Sequence, residues 1–109
     1  AGSYETRSIN AAGVAKAGLV FWSKGLSHQL GQHGIRVNCL QPGLIDTAQI
    51  RALFSPQARA DFAAKEIALG DFGNPQDIAD MAVFLASSRA AYVTGSVVTV
   101  DGGKRNHAF

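Results

Sequence analysis

The sequence predicts an α/β fold built on parallel strands, and three observations point there. The periodic segments follow the order helix, strand, helical segment, helix, strand. The first strand is nearly continuous in apolar residues, which suits a strand covered on both faces of a parallel sheet. The two strands are joined by a long helical crossover, which favours parallel neighbours and a right-handed connection.

The first helical pattern spans about Asn10 to Gln32, where Ala15, Leu19, Trp22, Leu26 and Leu30 form one apolar stripe at spacings of three and four. Gly18 and Gly25 lie on a neighbouring face with Phe21. A glycine inside a helix costs about 1 kcal/mol relative to alanine, and close approach of another helix or backbone is the usual compensation. Asn10 is placed as the N-cap and Gly34 as the stop. Ile35 to Leu40 reads as a strand ended by Pro42 and Gly43. The stretch from Asp46 to Asp71 is expected to hold one or two short helices broken at Ser55 and Pro56. It is long for a connection, which suits a mobile lid. Asn74, Pro75 and Asp77 form a helix start of cap, first-turn proline and acidic first turn. Ile78, Met81, Ala82 and Leu85 then continue the helix to about Ser88. A turn at Tyr92 to Gly95 leads into a β-branched strand, Ser96 to Val100, closed by Asp101, Gly102 and Gly103.

Composition narrows the function classes. The 109 residues are 47% hydrophobic and 17% charged, as in a globular chain. The net charge of +2 is small and scattered, which argues against nucleic-acid binding. No apolar run reaches the roughly 18 residues of a membrane span, and no secretory signal is expected. The single cysteine, Cys39, lies in the apolar strand and reads as a buried inert thiol, consistent with a reducing cytoplasm. His28, His33 and His107 have no metal-like spacing with Cys39 or the carboxylates, so no metal site is expected. Asp46, Asp61, Glu66 and Asp71 form no acid/base pair by pattern.

Several blocks, in order, resemble the short-chain dehydrogenase/reductases. They are Ala12 to Leu19 around Lys16; Gly34 to Asn38 followed by Pro42 and Gly43; Asn74 to Ala79; Phe84 to Ser87; Val93 to Gly95; and Val100 to Gly103. Each block alone is weak; the ordered set, from about Ala11 to Gly103, is specific. The resemblance implies the C-terminal portion of a doubly wound Rossmann-type sheet, with residues 1–109 as one partial NAD(P)-binding domain. It also implies hydride transfer between NAD or NADP and an alcohol/carbonyl substrate. Lys16 would hold the nicotinamide ribose, and Pro42, Gly43, Ile45 and Thr47 would contact the cofactor, Thr47 through the carboxamide. The long first helix would pack between subunits, giving a homo-oligomer.

Departures from the family pattern qualify the activity. The family carries tyrosine four residues before its lysine, and the lysine's charge lowers that phenol's pKa. Here the position is Ala12, so the pair's one-turn spacing is kept without the proton donor. Ser3, and less directly Ser8, are candidates for the family's catalytic serine, although both lie closer to Lys16 than the family spacing. Tyr4 is the nearest phenol, twelve residues before Lys16, and could reach the site only if the segment folds back. The plainer readings are Tyr4 as packing and the serines as turn or cap residues. No Gly-rich phosphate turn opens the chain, and Asp101 to Gly103 precedes no helix. The chain alone is therefore expected to be inactive. Its alternative role is a non-catalytic module that associates through the first helix.

Overall fold

A computed structural model describes residues 11–105; for Ala11 and Ala12 only the backbone is considered. Ser3, Tyr4, Ser8, Asn10 and His107 lie outside the described residues. In chain order the described elements are α1 (Ala11–Leu30), β1 (Cys39–Pro42), α2 (Ala48–Leu53), α3 (Pro56–Glu66), α4 (Pro75–Ala86) and β2 (Val97–Val100). Short 3-10 turns follow α1 at Gly31–His33 and α4 at Ser88–Ala90. The two strands pair in one sheet. Cys39 N donates to Ser96 O and Gly43 N to Val100 O, so the partner advances by four when the strand does, which is a parallel register. Pro42 fits at the end of β1 because the donors toward β2 at Cys39 and Gly43 share one side of the period-two strand and Pro42 is offset from them by one residue.

The chain divides into two compact units. Of the described residues, the first comprises 11–39 together with Tyr92–Val97. Here α1 ends through its 3-10 turn at Gly34, whose φ of 72° is left-handed and whose N–H bonds Gly31 O, as the expected stop requires. The apolar stripe of α1 is not its buried face. Leu19 and Trp22 are 56% and 61% exposed, whereas Ser23 and Ser27 are buried. A Cβ on Gly95 would stand 2.6 Å from Ser27 Oγ, so the backbone comes too close there for a large side chain. Both serines satisfy their hydroxyls on carbonyls three residues back, Val20 O at 2.9 Å and Lys24 O at 2.6 Å.

The strand expected from Ile35 begins only at Cys39. Residues 37 and 38 are held largely through side chains: Val37 N donates to Thr94 Oγ1, Asn38 Nδ2 to Val93 O, and Ser96 N to Asn38 Oδ1, beside one backbone bond from Gly95 N to Val37 O. Asn38 thus bonds backbone on both sides and displaces a regular ladder. Cys39 is half-buried and shares a 2.8 Å hydrogen bond with Ser23 Oγ.

The second unit comprises Leu40–Ala91 and Val98–Arg105. Its helices each start at a capping side chain, of which Asn74 is the one expected from the sequence. Thr47 caps α2, Ser55 caps α3 ahead of Pro56, and Asn74 and Asp77 form a reciprocal capping box on α4. Phe54, Phe62 and Phe72 pack as a ring trio with centroids 5.6 to 6.2 Å apart, joining the end of α2, the middle of α3 and the turn before α4. Ala63, Ile67 and Ala90 are the buried apolar residues of this unit. The turn after β2 pairs back along residues 67–69: Ala68 N donates to Gly103 O and Leu69 N to Gly102 O. Gly103 has a φ of 77°, and a Cβ there would stand 2.7 Å from Ala68 Cβ. The glycine pair therefore serves packing.

Candidate functional site

The residues expected to carry chemistry lie in two places, each built differently. The first is the amino-terminal turn region of α1, where Ala12 and Lys16 are one helical turn apart, about 6 Å along the axis. Lys16 is exposed. Its ammonium offers three donors and no acceptor, which suits the hydroxyl oxygens of a sugar.

The second is the loop at the carboxyl end of β1, where ligands bind in open α/β sheets. Gly43 bonds Val100 O through its N–H, and a Cβ on it would stand 2.5 Å from Asp101 Cβ and 2.6 Å from Asp101 Cα. The glycine is required by this chain's own Asp101, a neighbour that the local pattern does not announce. Ile45 forms a parallel bridge with Gly73, completed by Gly73 N to Leu44 O and Asp46 N to Gly73 O. Thr47 is exposed and extended, and its Oγ1 accepts from Ile50 N at 3.3 Å. A hydroxyl that accepts a bond keeps its own proton for donation. The cap therefore holds the oxygen while leaving the hydroxyl proton for a carbonyl acceptor.

Sequence reasoning missed Gly73, Arg51 and Arg59. Both arginines donate to Asp46 Oδ1, at 3.0 Å from Arg51 and 2.8 Å from Arg59. The sequence pattern sets Asp46 only against other carboxylates. Its true partners are five and thirteen residues away, and neither spacing is a helical neighbour.

The first unit also has an open groove of about 740 Å³ lined by Phe21, Lys24, Gly25, His28, Gly31 and Gly95, among others. Lys24 Nζ spans it to Gly95 O at 2.9 Å. Lys16 and the residues from Pro42 to Thr47 do not line it. Among the described residues no cluster of three His, Cys, Asp or Glu could hold a metal, and no helix is long and apolar enough to cross a membrane.

A family model described as enoyl-(acyl carrier protein) reductase matches residues 1–105. A 3-oxoacyl-(acyl-carrier-protein) reductase of Chlamydia muridarum is 46% identical over 90 residues, 83% of this chain and 36% of the relative. Among solved structures, a 3-oxoacyl-(acyl-carrier protein) reductase from Brucella melitensis superposes with a TM-score of 0.78 at 33% identity, over 87% of this chain and 35% of that one. An NADPH-bound short-chain oxidoreductase from Pseudomonas aeruginosa, described as containing an atypical catalytic centre, gives a TM-score of 0.79 at 35% identity, over 88% of this chain and 39% of that one. The chain thus spans little more than a third of the length of these relatives.

Proposed function

Because the chain belongs to the short-chain dehydrogenase/reductase family, we propose that it corresponds to the carboxyl-terminal part of an NAD(P)-dependent oxidoreductase and keeps the nicotinamide-facing side of that site. When bound, the nicotinamide would supply or accept the hydride of an alcohol/carbonyl conversion. The chain's own residues would bind and orient it. Lys16 would donate to the ribose hydroxyls, Thr47 Oγ1 to the carboxamide oxygen, and Pro42, Gly43 and Ile45 would border the ring. The observation that carries this reading is the exposed Thr47 cap in the loop after β1, whose Oγ1 accepts from Ile50 N and so keeps its proton for another acceptor. NADPH is the first form to try, since a solved relative is described with it. A 3-oxoacyl thioester is the first substrate to try, given the names of the relatives. Ala12 offers no proton, so a complete reaction needs a donor from another position, for which Tyr4 and Ser8 are the candidates within the chain, while Ser3 is the candidate for the serine that polarises the substrate carbonyl.

The test uses reduced nicotinamide mononucleotide, the half of the cofactor that these residues would meet, titrated by calorimetry. Lys16→Ala should weaken binding about tenfold, the loss of one charge-assisted hydrogen bond. Thr47→Asp keeps the cap but has no proton to donate, so affinity should fall while helix content stays. Equal affinity in wild type and both variants would remove these residues from the site.

A second reading rests on the exposed face of α1, where Val14 (68%), Leu19 (56%), Phe21 (84%) and Trp22 (61%) are open and Gly18 and Gly25 have nothing within 4 Å of an added Cβ. Large exposed apolar side chains beside small residues suit helix–helix association between copies. Light scattering at micromolar concentration should then report a dimer or larger assembly, and a monomer would dismiss this reading.

A further inference from the structure

Asp46 makes more connections than any neighbour in the strand-end loop. Its N–H bonds Gly73 O at 2.7 Å. One carboxylate oxygen, Oδ1, accepts from Arg51 Nη1 at 3.0 Å and from Arg59 Nη1 at 2.8 Å. Arg51 belongs to α2 and Arg59 to α3. The next residue, Thr47, is the cap of α2. A single carboxylate therefore ties the loop to both helices of the segment 48–66, directly beside the hydroxyl assigned to the carboxamide.

The same segment is closed on its apolar side by Phe54, Phe62 and Phe72. Phe72 immediately precedes Gly73, the backbone partner of Asp46. The aromatic trio brings α2 and α3 together without specifying where they sit along the loop, because ring packing is tolerant of small slides. The Asp46 pairs add a fixed point to that packing, because two charge-assisted bonds from different helices converge on one oxygen. Of the two arginines, Arg59 has the shorter bond and the less exposed side chain, 31% against 54% for Arg51. It is the stronger tie, because exposure to water weakens an ion pair.

We infer that Asp46 is a positioning residue: through Arg59 and Arg51 it seats segment 48–66 on the loop at Ile45–Thr47 and so sets the direction of the Thr47 hydroxyl. Its consequence for the cofactor rests on the assignment of Thr47 given above. Asp46 itself needs no contact with the nicotinamide.

The experiment compares the full chain with Asp46→Asn, Arg59→Met, the double variant, and Asp46→Glu. Amide hydrogen exchange over residues 47–66 reads the seating, and calorimetry with reduced nicotinamide mononucleotide reads its effect on the site. Asp46→Asn keeps the shape and removes the charge. It should raise exchange in 47–66 about tenfold, as local opening becomes easier, and weaken the mononucleotide about fivefold. Arg59→Met should do nearly the same, and the double variant should be no worse than Asp46→Asn, since the two act through one interaction. Asp46→Glu, which restores the charge, should recover much of both readouts. Raising the salt should move wild type toward Asp46→Asn and leave that variant unmoved.

Unchanged exchange in Asp46→Asn and Arg59→Met, or strictly additive effects in the double variant, would overturn the inference. Weakened mononucleotide binding with unchanged exchange would also overturn it, since Asp46 would then act on the ligand without seating the segment. If wild type binds no mononucleotide while the exchange pattern holds, the seating by Asp46 stands and the cofactor assignment of Thr47 falls.

Discussion

Along the strand-end loop, successive residues are tied within the chain: Gly43 to Val100, Leu44 and Asp46 to Gly73, Asp46 to two arginines, and Thr47 to Ile50. Along α1 several large apolar side chains are open. Leu19 and Phe21 are 56% and 84% exposed, and nothing stands within 4 Å of a Cβ added at Gly18. The loop carries its own supports, so the position of Thr47 follows from this chain's residues. The glycines and exposed apolar residues of α1 gain no comparable support from the described residues, which is the basis of the self-association reading proposed above. The contrast is between a loop supported by its own chain and a helix face with little support among the described residues.

Three substitutions sharpen that contrast, from the largest expected effect to the smallest. Gly43→Ala should destabilise the chain by about 3 kcal/mol, because its Cβ would overlap Asp101 where backbone as well as side chain must give. A urea-unfolding midpoint close to wild type would show that the loop yields more easily than its bonding implies. Asn74→Ala removes one arm of the α4 capping box and should cost about 1 kcal/mol, with Asn74→Ser nearly neutral. Thermal melts of the two variants would coincide if the cap contributes nothing. Gly18→Ala should do the opposite and stabilise the chain by about 0.8 kcal/mol, since helix propensity improves and no neighbour is met. If it instead lowers the melting temperature in proportion to protein concentration, a second copy covers that glycine and the self-association reading gains.

The parts of the fold that were legible in the sequence are those set by neighbours a few residues apart. The Asn74–Asp77 box, the break at Ser55 and Pro56, and the left-handed stop at Gly34 all come from such short-range chemistry, and the structure has each of them. The Ala12–Lys16 spacing is also local, and both residues lie in α1. What could not be read depends on contacts remote in sequence. β1 starts at Cys39 rather than Ile35 because Asn38 bonds residues 93 and 96. The buried face of α1 is Ser23 and Ser27 rather than its leucines because Gly95 approaches there. The Arg59–Asp46 pair spans thirteen residues and two elements, a distance at which no periodicity carries information.

The central claim is that this chain retains the nicotinamide-facing side of a short-chain dehydrogenase/reductase site at Lys16 and at Pro42–Thr47. The most direct test is an amide-shift map of the 109-residue chain titrated with reduced nicotinamide mononucleotide into the millimolar range. The account predicts saturable shifts concentrated around Lys16 and from Pro42 to Thr47, with the Phe21–His28 groove unaffected. Saturable shifts confined to that groove, or no shifts at Lys16 and Thr47 at any concentration, would contradict it.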